Sequence, residues 1–338
     1  MDVIDWLLAS DPAIRWQVRR DLLDALPAEV EAERAKVATE GWGAELLAQQ
    51  RPDGSWGGVA FNQGYDSTMH VLTLLHLFGI DPDSLQARAA IERVRERVIW
   101  PGWGPDGTDN PYFEGEVEPC INGQVAAAGA YFRQDVSGLI DRLVSEQLDD
   151  GGWNCEAENG SVRGSFNTTI CVLEALLSYE RAFGGRDEAT AARVRGQEYL
   201  LDRQLFKRLS TGEAILIDRK RGGNWTEFAF PTWWHYDVMR GLDYLRAAGV
   251  SPHEQVADAI ELVRSKRQPD GRWLLDMQYP GAMLVDLGEV AGEPSQWMTL
   301  RALRVLRWYE GGFGEAGLRG ERSLHFGRDD EKLSPCAK

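Results

Sequence analysis

The chain has 338 residues, 43% of them hydrophobic, enough to bury a sizeable core in two ordinary domains or one large repetitive one. A net charge of -16 opposes binding to a phosphate backbone, and no apolar run approaches the roughly 20 residues of a membrane span. The acidic start MDVIDWLLAS lacks the basic opening of a secretory signal, and Cys120, Cys155, Cys171 and Cys336 are too few for a disulfide scaffold, so a cytoplasmic globular protein with reduced thiols is expected.

In chain order, SDPAIRWQVRRDLLDAL predicts a first helix, with Ser10 or Asp11 as N-cap and Pro12 at the first helical position. The turn QRPDGSWGG follows, then the apolar helix STMHVLTLLHLFGI and the amphipathic DSLQARAAIERVRERVIW. INGQVAAAGAYF and VSGLIDRLVSEQL repeat the apolar and amphipathic pair before a second turn, EQLDDGGWN. FNTTICVLEALLSYE is again apolar, and the stretch 203–225, with FKRLSTGEAILIDRKRGG and no clean period, is expected as a flap or short hairpin. WWHYDVMRGLDYLRAAG, a third turn RQPDGRWLL and WMTLRALRVLRWYE complete the series, and the polar RSLHFGRDDEKLSPCAK is expected as a flexible tail over 319–338.

Trp56, Trp103, Trp153, Trp225 and Trp273 each follow a Gly-rich turn at steps of about 50 residues, with one longer step that holds an insertion. Apolar helices alternating with charged ones favour two layers, the apolar helices shielded inside. Such two-helix repeats either stack into an open solenoid or close into a ring, and the helix pattern alone does not choose; the expectation is an all-α toroid of five to six helical hairpins over residues 1–318, with the helices of 1–40 packed on the ring and the inner helices starting at one rim. In the turns, Gly supplies positive φ and Trp covers apolar area, its indole N–H taking an acceptor from the repeated Gln or a nearby carbonyl.

QRPDGSW, QLDDGGW and QPDGRW resemble the Gln-Trp turns of the squalene and oxidosqualene cyclases, whose (α/α) barrels are shared by the protein prenyltransferase β-subunits. The resemblance covers roughly residues 50–310. It implies a hydrophobic isoprenoid small molecule held in an aromatic-lined cavity, with chemistry near the inner-helix starts. Nucleic acid is not an expected partner, and peripheral contact with a bilayer stays open.

The resemblance implies an acid that protonates an alkene, written Asp-x-Asp-Asp in class II terpene cyclases. That pattern is absent here. Asp66 in GYDSTMHVL is the nearest local match, although Tyr65 stands where the proton donor is expected and Asp66 reads equally as a helix N-cap. The run 105–120 offers Asp106, Asp109, Glu114, Glu116 and Glu118, a carboxylate cluster that raises at least one pKa, although Asp109 also reads as an Asp-Asn-Pro turn. Aromatic faces for a cation gather at the expected helix starts: Tyr65, Tyr112, Phe113, Phe166, Phe230, Trp233, Trp234, Tyr236 and Trp297, with rim packing as the alternative.

A second constellation is Cys120, Cys155 and His235, which on a closed ring become neighbours able to hold zinc with one position open. Without metal, Cys120 is a buried thiol and His235 a partner for Asp237 or a rim carboxylate. Cys171 reads as core. Lys207, Arg208, Arg219, Lys220 and Arg221 form a basic patch for a diphosphate or carboxylate head group, or a solvated loop. Three functions remain: protonation-initiated cyclisation of a linear polyprenyl or prenylated-aromatic compound with Asp109 or Asp66 as acid, zinc-dependent prenyl transfer, and a non-catalytic lipid or isoprenoid binder.

Overall fold

The computed structural model describes residues 2–215 and 225–316. Six helices form an inner layer: α2 (Pro12–Asp21), α5 (Thr68–Phe78), α7 (Pro119–Tyr131), α9 (Phe166–Phe183), α11 (Val238–Ala247) and α13 (Gln296–Ala316). Each is preceded by a helix of the outer layer: α1 (Val3–Leu8), α4 (Gly41–Ala48), α6 (Leu85–Arg97), α8 (Ser137–Ser145), α10 (Asp187–Asp202) and α12 (Ala257–Ser265), while α3 (Pro27–Arg34) is an extra segment beside α2. The layers differ as the hydrophobic patterns require. α7 buries every residue from Pro119 to Ala130, whereas α6 buries one stripe, Ala87, Ala90, Ile91 and Val94.

Side-chain contacts close the inner helices into a ring. Trp16 Nε1 donates to the Phe78 carbonyl at 2.8 Å and joins α2 to α5. α5 packs on α7 and α7 on α9, where a Cβ at Gly123 would stand 2.7 Å from the Cys171 carbonyl, so the two backbones approach only because Gly is there. Glu174 pairs with Arg240 between α9 and α11, and Asp243 accepts from Arg304 Nε at 2.8 Å between α11 and α13. Arg304 also donates to Gln17 Oε1 at 2.9 Å and returns to α2. The fold is an (α/α) toroid.

The Gly-Trp turns are staples with a uniform geometry. Trp56, Trp153 and Trp273 donate their indole N–H to the carbonyls of Leu46, Leu143 and Val263 in the preceding outer helix. Their backbone N–H groups donate to Thr68, Thr169 and Thr299 of the following inner helix. The acceptors are therefore carbonyls and not the repeated Gln. Gln50 and Gln147 instead donate to Ala90 and Ala192 in the next outer helix and so link one pair to the next. Trp103 departs from the pattern at 50% exposed, and the buried indole of its repeat is Trp100, which donates to the Tyr112 carbonyl across the hairpin of β1 (Ile99–Trp100) and β2 (Asn110–Pro111).

Asp11, not Ser10, caps α2, accepting from the N–H of Ala13 and, with its other oxygen, from that of Trp42. The helix expected from Trp233 begins only at Val238, because Trp233 has φ 53° and Asp237 caps the helix through the Arg240 N–H. In the 203–225 stretch, Lys207 and Ala214 form an antiparallel bridge, a short hairpin. The expected tail, together with Arg219, Lys220 and Arg221, lies outside the described residues. No helix among the described residues is long and apolar enough to cross a membrane.

Candidate functional site

A cavity of about 1000 Å³ lies where the segments leading into α5, α7, α9, α11 and α13 converge. Phe61, Tyr65, Trp234 and Tyr279 give it aromatic walls. His235 is held between Trp234 and Tyr279, with ring centroids 3.6 Å away on each side. Burial lowers its pKa to about 3, so its imidazole is neutral at physiological pH. His70, in the first turn of α5, shares a hydrogen bond with the Ser67 hydroxyl through Nδ1 at 2.8 Å and leaves a buried Nε2 without a partner facing this cavity. Burial lowers it to about 4, against the opposing charge of Asp66.

One wall carries two thiols and a carboxylate. Pro119 starts α7, which puts Cys120 in its first turn and Glu118 at its N-cap. Cys155 sits in the short turn after the Trp153 staple, a turn fixed by the Asn154 side chain accepting from the Glu156 N–H. One ligand atom each of Glu118, Cys120 and Cys155 lies within 4.8 Å of the others, and Cys120 Sγ is 3.7 Å from Glu118 Oε2. Tetrahedral zinc with S and O ligands sets such atoms about 3.5 Å apart, so the donor set fits zinc and leaves a position open. The hydrogen bond between the two sulfurs and burial together hold Cys120 as the thiol, which makes Cys155 the first to ionise. His235 lines the same cavity but lies outside this cluster, and Glu118 takes the place the sequence had suggested for it.

A side compartment of about 380 Å³ shares Phe61, Glu118 and Ile121 with the main cavity and is walled by Trp100, Trp103 and Ile99. Glu116 lies in it, 5% exposed. Burial raises its carboxyl to about 7, against the N–H groups of Val117 and Glu118, and the neighbouring Glu118 charge adds to the rise. Arg142 donates to the backbone carbonyls of Glu116 and Val117 and fixes this loop.

The other acidic candidates do not reach these cavities. Asp66 is neither lining nor cap: Ser67 holds the N-cap position of α5, and Asp66 accepts from Asn62 Nδ2 at 2.6 Å. Asp109 is exposed and accepts from the Gly102 N–H at 3.1 Å, a turn role. Asp237 is buried, spending one oxygen on the Arg240 N–H and the other on the Ala229 N–H. Among the aromatics, Tyr65 and Trp234 line the cavity and Trp297 lines a separate one. Tyr112 and Phe113 pack on each other beside Trp100, Phe166 and Tyr236 pack together, and Trp233 stacks behind Tyr65. Glu116 and Glu118 stood in the acidic run before α7. Phe61, His70 and Tyr279 were missed, and only His70, polar in an apolar helix, carried a signal.

No family model and no curated protein matches this sequence. Among solved structures, the chain is similar to the type II terpene cyclase MstE from Scytonema in its apo form, at 18% identity and a TM-score of 0.43, with 90% of this chain and 88% of that chain covered.

Proposed function

We propose that the protein is an isoprenoid-processing enzyme that starts cyclisation of a linear polyprenyl or prenylated-aromatic compound by protonation. The observation that carries this reading is Glu116, a buried carboxyl that keeps part of its proton near neutral pH, in a compartment walled by Ile99 and Trp100 together with Asp53, Arg97 and Glu118 that adjoins the aromatic cavity. Glu116 takes the role expected of Asp109 or Asp66. It transfers its proton to an alkene carbon, the cation travels along the chain facing Phe61, Tyr65, Trp234 and Tyr279, and the Glu116 carboxylate regains a proton when the last cation is quenched. A carboxyl held at about 7 is a mild acid, so the reading requires most of the barrier to be lowered by the aromatic faces and by exclusion of water. The cavity of about 1000 Å³ is at the upper end of the range for small-molecule sites.

The test is incubation with geranylgeraniol and a geranylgeranylated phenol in D₂O. A cyclic product carrying one deuterium, absent with Glu116→Gln, supports the reading; no product, or undiminished product from the variant, removes it.

The Glu118, Cys120 and Cys155 cluster favours a second reading, zinc-dependent prenyl transfer. In it the three side chains hold the metal, which supplies an activated thiolate or polarised oxygen. Metal analysis of purified protein separates the two: one zinc per chain, lost in Cys155→Ala, demotes the cyclase. Binding of an apolar ligand with neither outcome leaves a non-catalytic isoprenoid binder.

A further inference from the structure

The toroid holds a second chamber, of about 170 Å³, to which all six inner helices contribute. It lies toward the C-terminal ends of α5, α9 and α11, at Leu77, Arg181 and Ala247, whereas the aromatic cavity gathers at the helix starts. Its lining brings four arginines, Arg181, Arg240, Arg301 and Arg304, against two carboxylates, Glu174 and Asp243, in a chain whose net charge is -16.

Three of those arginines are committed. Arg240 donates to Glu174 and to the carbonyls of Trp233 and His235. Arg304 donates to Asp243 and Gln17 and lies 3.5 Å from Asp21. Arg181 donates to the Ala247 carbonyl. Arg301 differs. Its side chain is 6% exposed, its Nε and Nη1 have no hydrogen-bond partner, and its nearest carboxylate oxygen, on Asp243, is 3.9 Å away. That carboxylate already accepts from Arg246 and Arg304. Trp297, on the preceding turn of α13, lines the same chamber, and its buried Nε1–H has no hydrogen-bond partner. The atoms left without a hydrogen bond on α13 are thus donors, and the Arg301 guanidinium has only the Phe230 ring, 4.9 Å to its centroid, and the distant Asp243 carboxylate to offset its burial, so those donors are costly. What satisfies them is an anion with several acceptor oxygens, which a guanidinium engages through two N–H groups at once.

We propose that this chamber binds a small oxyanion, a phosphate or carboxylate group, through Arg301 and Trp297. The site stands apart from the aromatic cavity and does not depend on the chemistry assigned there. Gln124, whose Oε1 also lacks a partner, completes the polar wall and presents an N–H if its amide is turned.

The experiment is calorimetric titration and thermal unfolding of the full chain with sodium phosphate, ethyl phosphate and sodium acetate, at ionic strength held constant with sodium chloride. Saturable binding of one oxyanion per chain is expected, with Tm rising with the logarithm of its concentration. Arg301→Met should weaken binding at least tenfold. Ser178→Asp, which sets a carboxylate on the chamber wall, should do the same and carries the test if Arg301→Met does not fold. Phosphate binding as tightly as ethyl phosphate assigns the free ion, and a tenfold preference for ethyl phosphate assigns the head group of a larger molecule. No saturable binding above the chloride control, or full affinity in the variants, overturns the proposal and leaves a chamber filled by water.

Discussion

Tyr65 and Trp233 lie face to face with ring centroids 4.8 Å apart and planes 11° apart, and both have left-handed backbones, at φ 67° and 53°. Bulky residues adopt that conformation only when their surroundings hold them there, and His70 meets both rings edge-on. The stack ties the entry to α5 to the entry to α11 and so frames the aromatic cavity from behind. Trp233→Ala is expected to cost about 3–5 kcal/mol in urea unfolding. Trp234→Ala, one residue on and facing the cavity, should cost less and weaken binding of an apolar ligand more. Equal stability losses would refute this division of labour.

The staple turns make a second prediction. Gly151 has φ 84°, and a Cβ there would stand 2.7 Å from the Arg195 carbonyl. Gly212 has φ 70° with nothing within 4 Å of its Cβ position. Gly212→Ala should therefore lose only the cost of the left-handed backbone, about 1 kcal/mol, while Gly151→Ala loses that and the clash besides. Chemical denaturation of the pair measures the difference, and matching values would mean that the turn yields.

Glu116 makes stability depend on pH. Its folded pKa of about 7 lies above the ordinary value of 4.5, so the folded state holds the proton more tightly than the unfolded chain. Stability from this group is full below about pH 4.5 and falls as pH rises through 7, by on the order of 3 kcal/mol. Glu116→Gln should remove that slope from the unfolding free energy. A slope unchanged in the variant would assign it to another group.

The three thiols among the described residues should react in order. Cys155 is partly exposed and ionises ahead of Cys120, while burial pushes Cys171 up to about 12. At pH 8, iodoacetamide should label Cys155 first, Cys120 slowly and Cys171 only after unfolding. Peptide mapping by mass spectrometry gives the order, and Cys120 leading would reverse the assignment of the shared proton.

What the sequence revealed and what it hid divide along physical lines. Trp56, Trp153 and Trp273 could be read because Gly, Trp and the following Thr act within one short turn and one helix end. Convergence of Cys120 and Cys155 followed from the ring, since Cys120 stands in the first turn of one inner helix and Cys155 in the segment that leads from the Trp153 turn into the next. Asp66 and Asp109 stood out because an acid before a helix or in a turn reads alike whether it meets a ligand or a neighbouring polar group, and here each meets a local partner, the Asn62 amide and the Gly102 N–H. Trp233 and Trp234 are adjacent letters with opposite fates, and only a positive φ at the first separates them. Phe61 and Tyr279 lie in irregular segments where no period marks the side that faces inward.

The seam between α2 and α13 sets a condition on how the molecule is made. Arg304 reaches back 287 residues to Gln17, so α2 leaves the ribosome long before the helix that completes its burial exists. Until then α2 packs on its early neighbours α1, α3, α4 and α5, only the part of its face that meets α13 stays uncovered, and the nascent coil becomes a closed band when its last strut docks against its first. The entropy of joining such distant partners grows only slowly with the length between them, which puts the burden on the time spent waiting rather than on the final join.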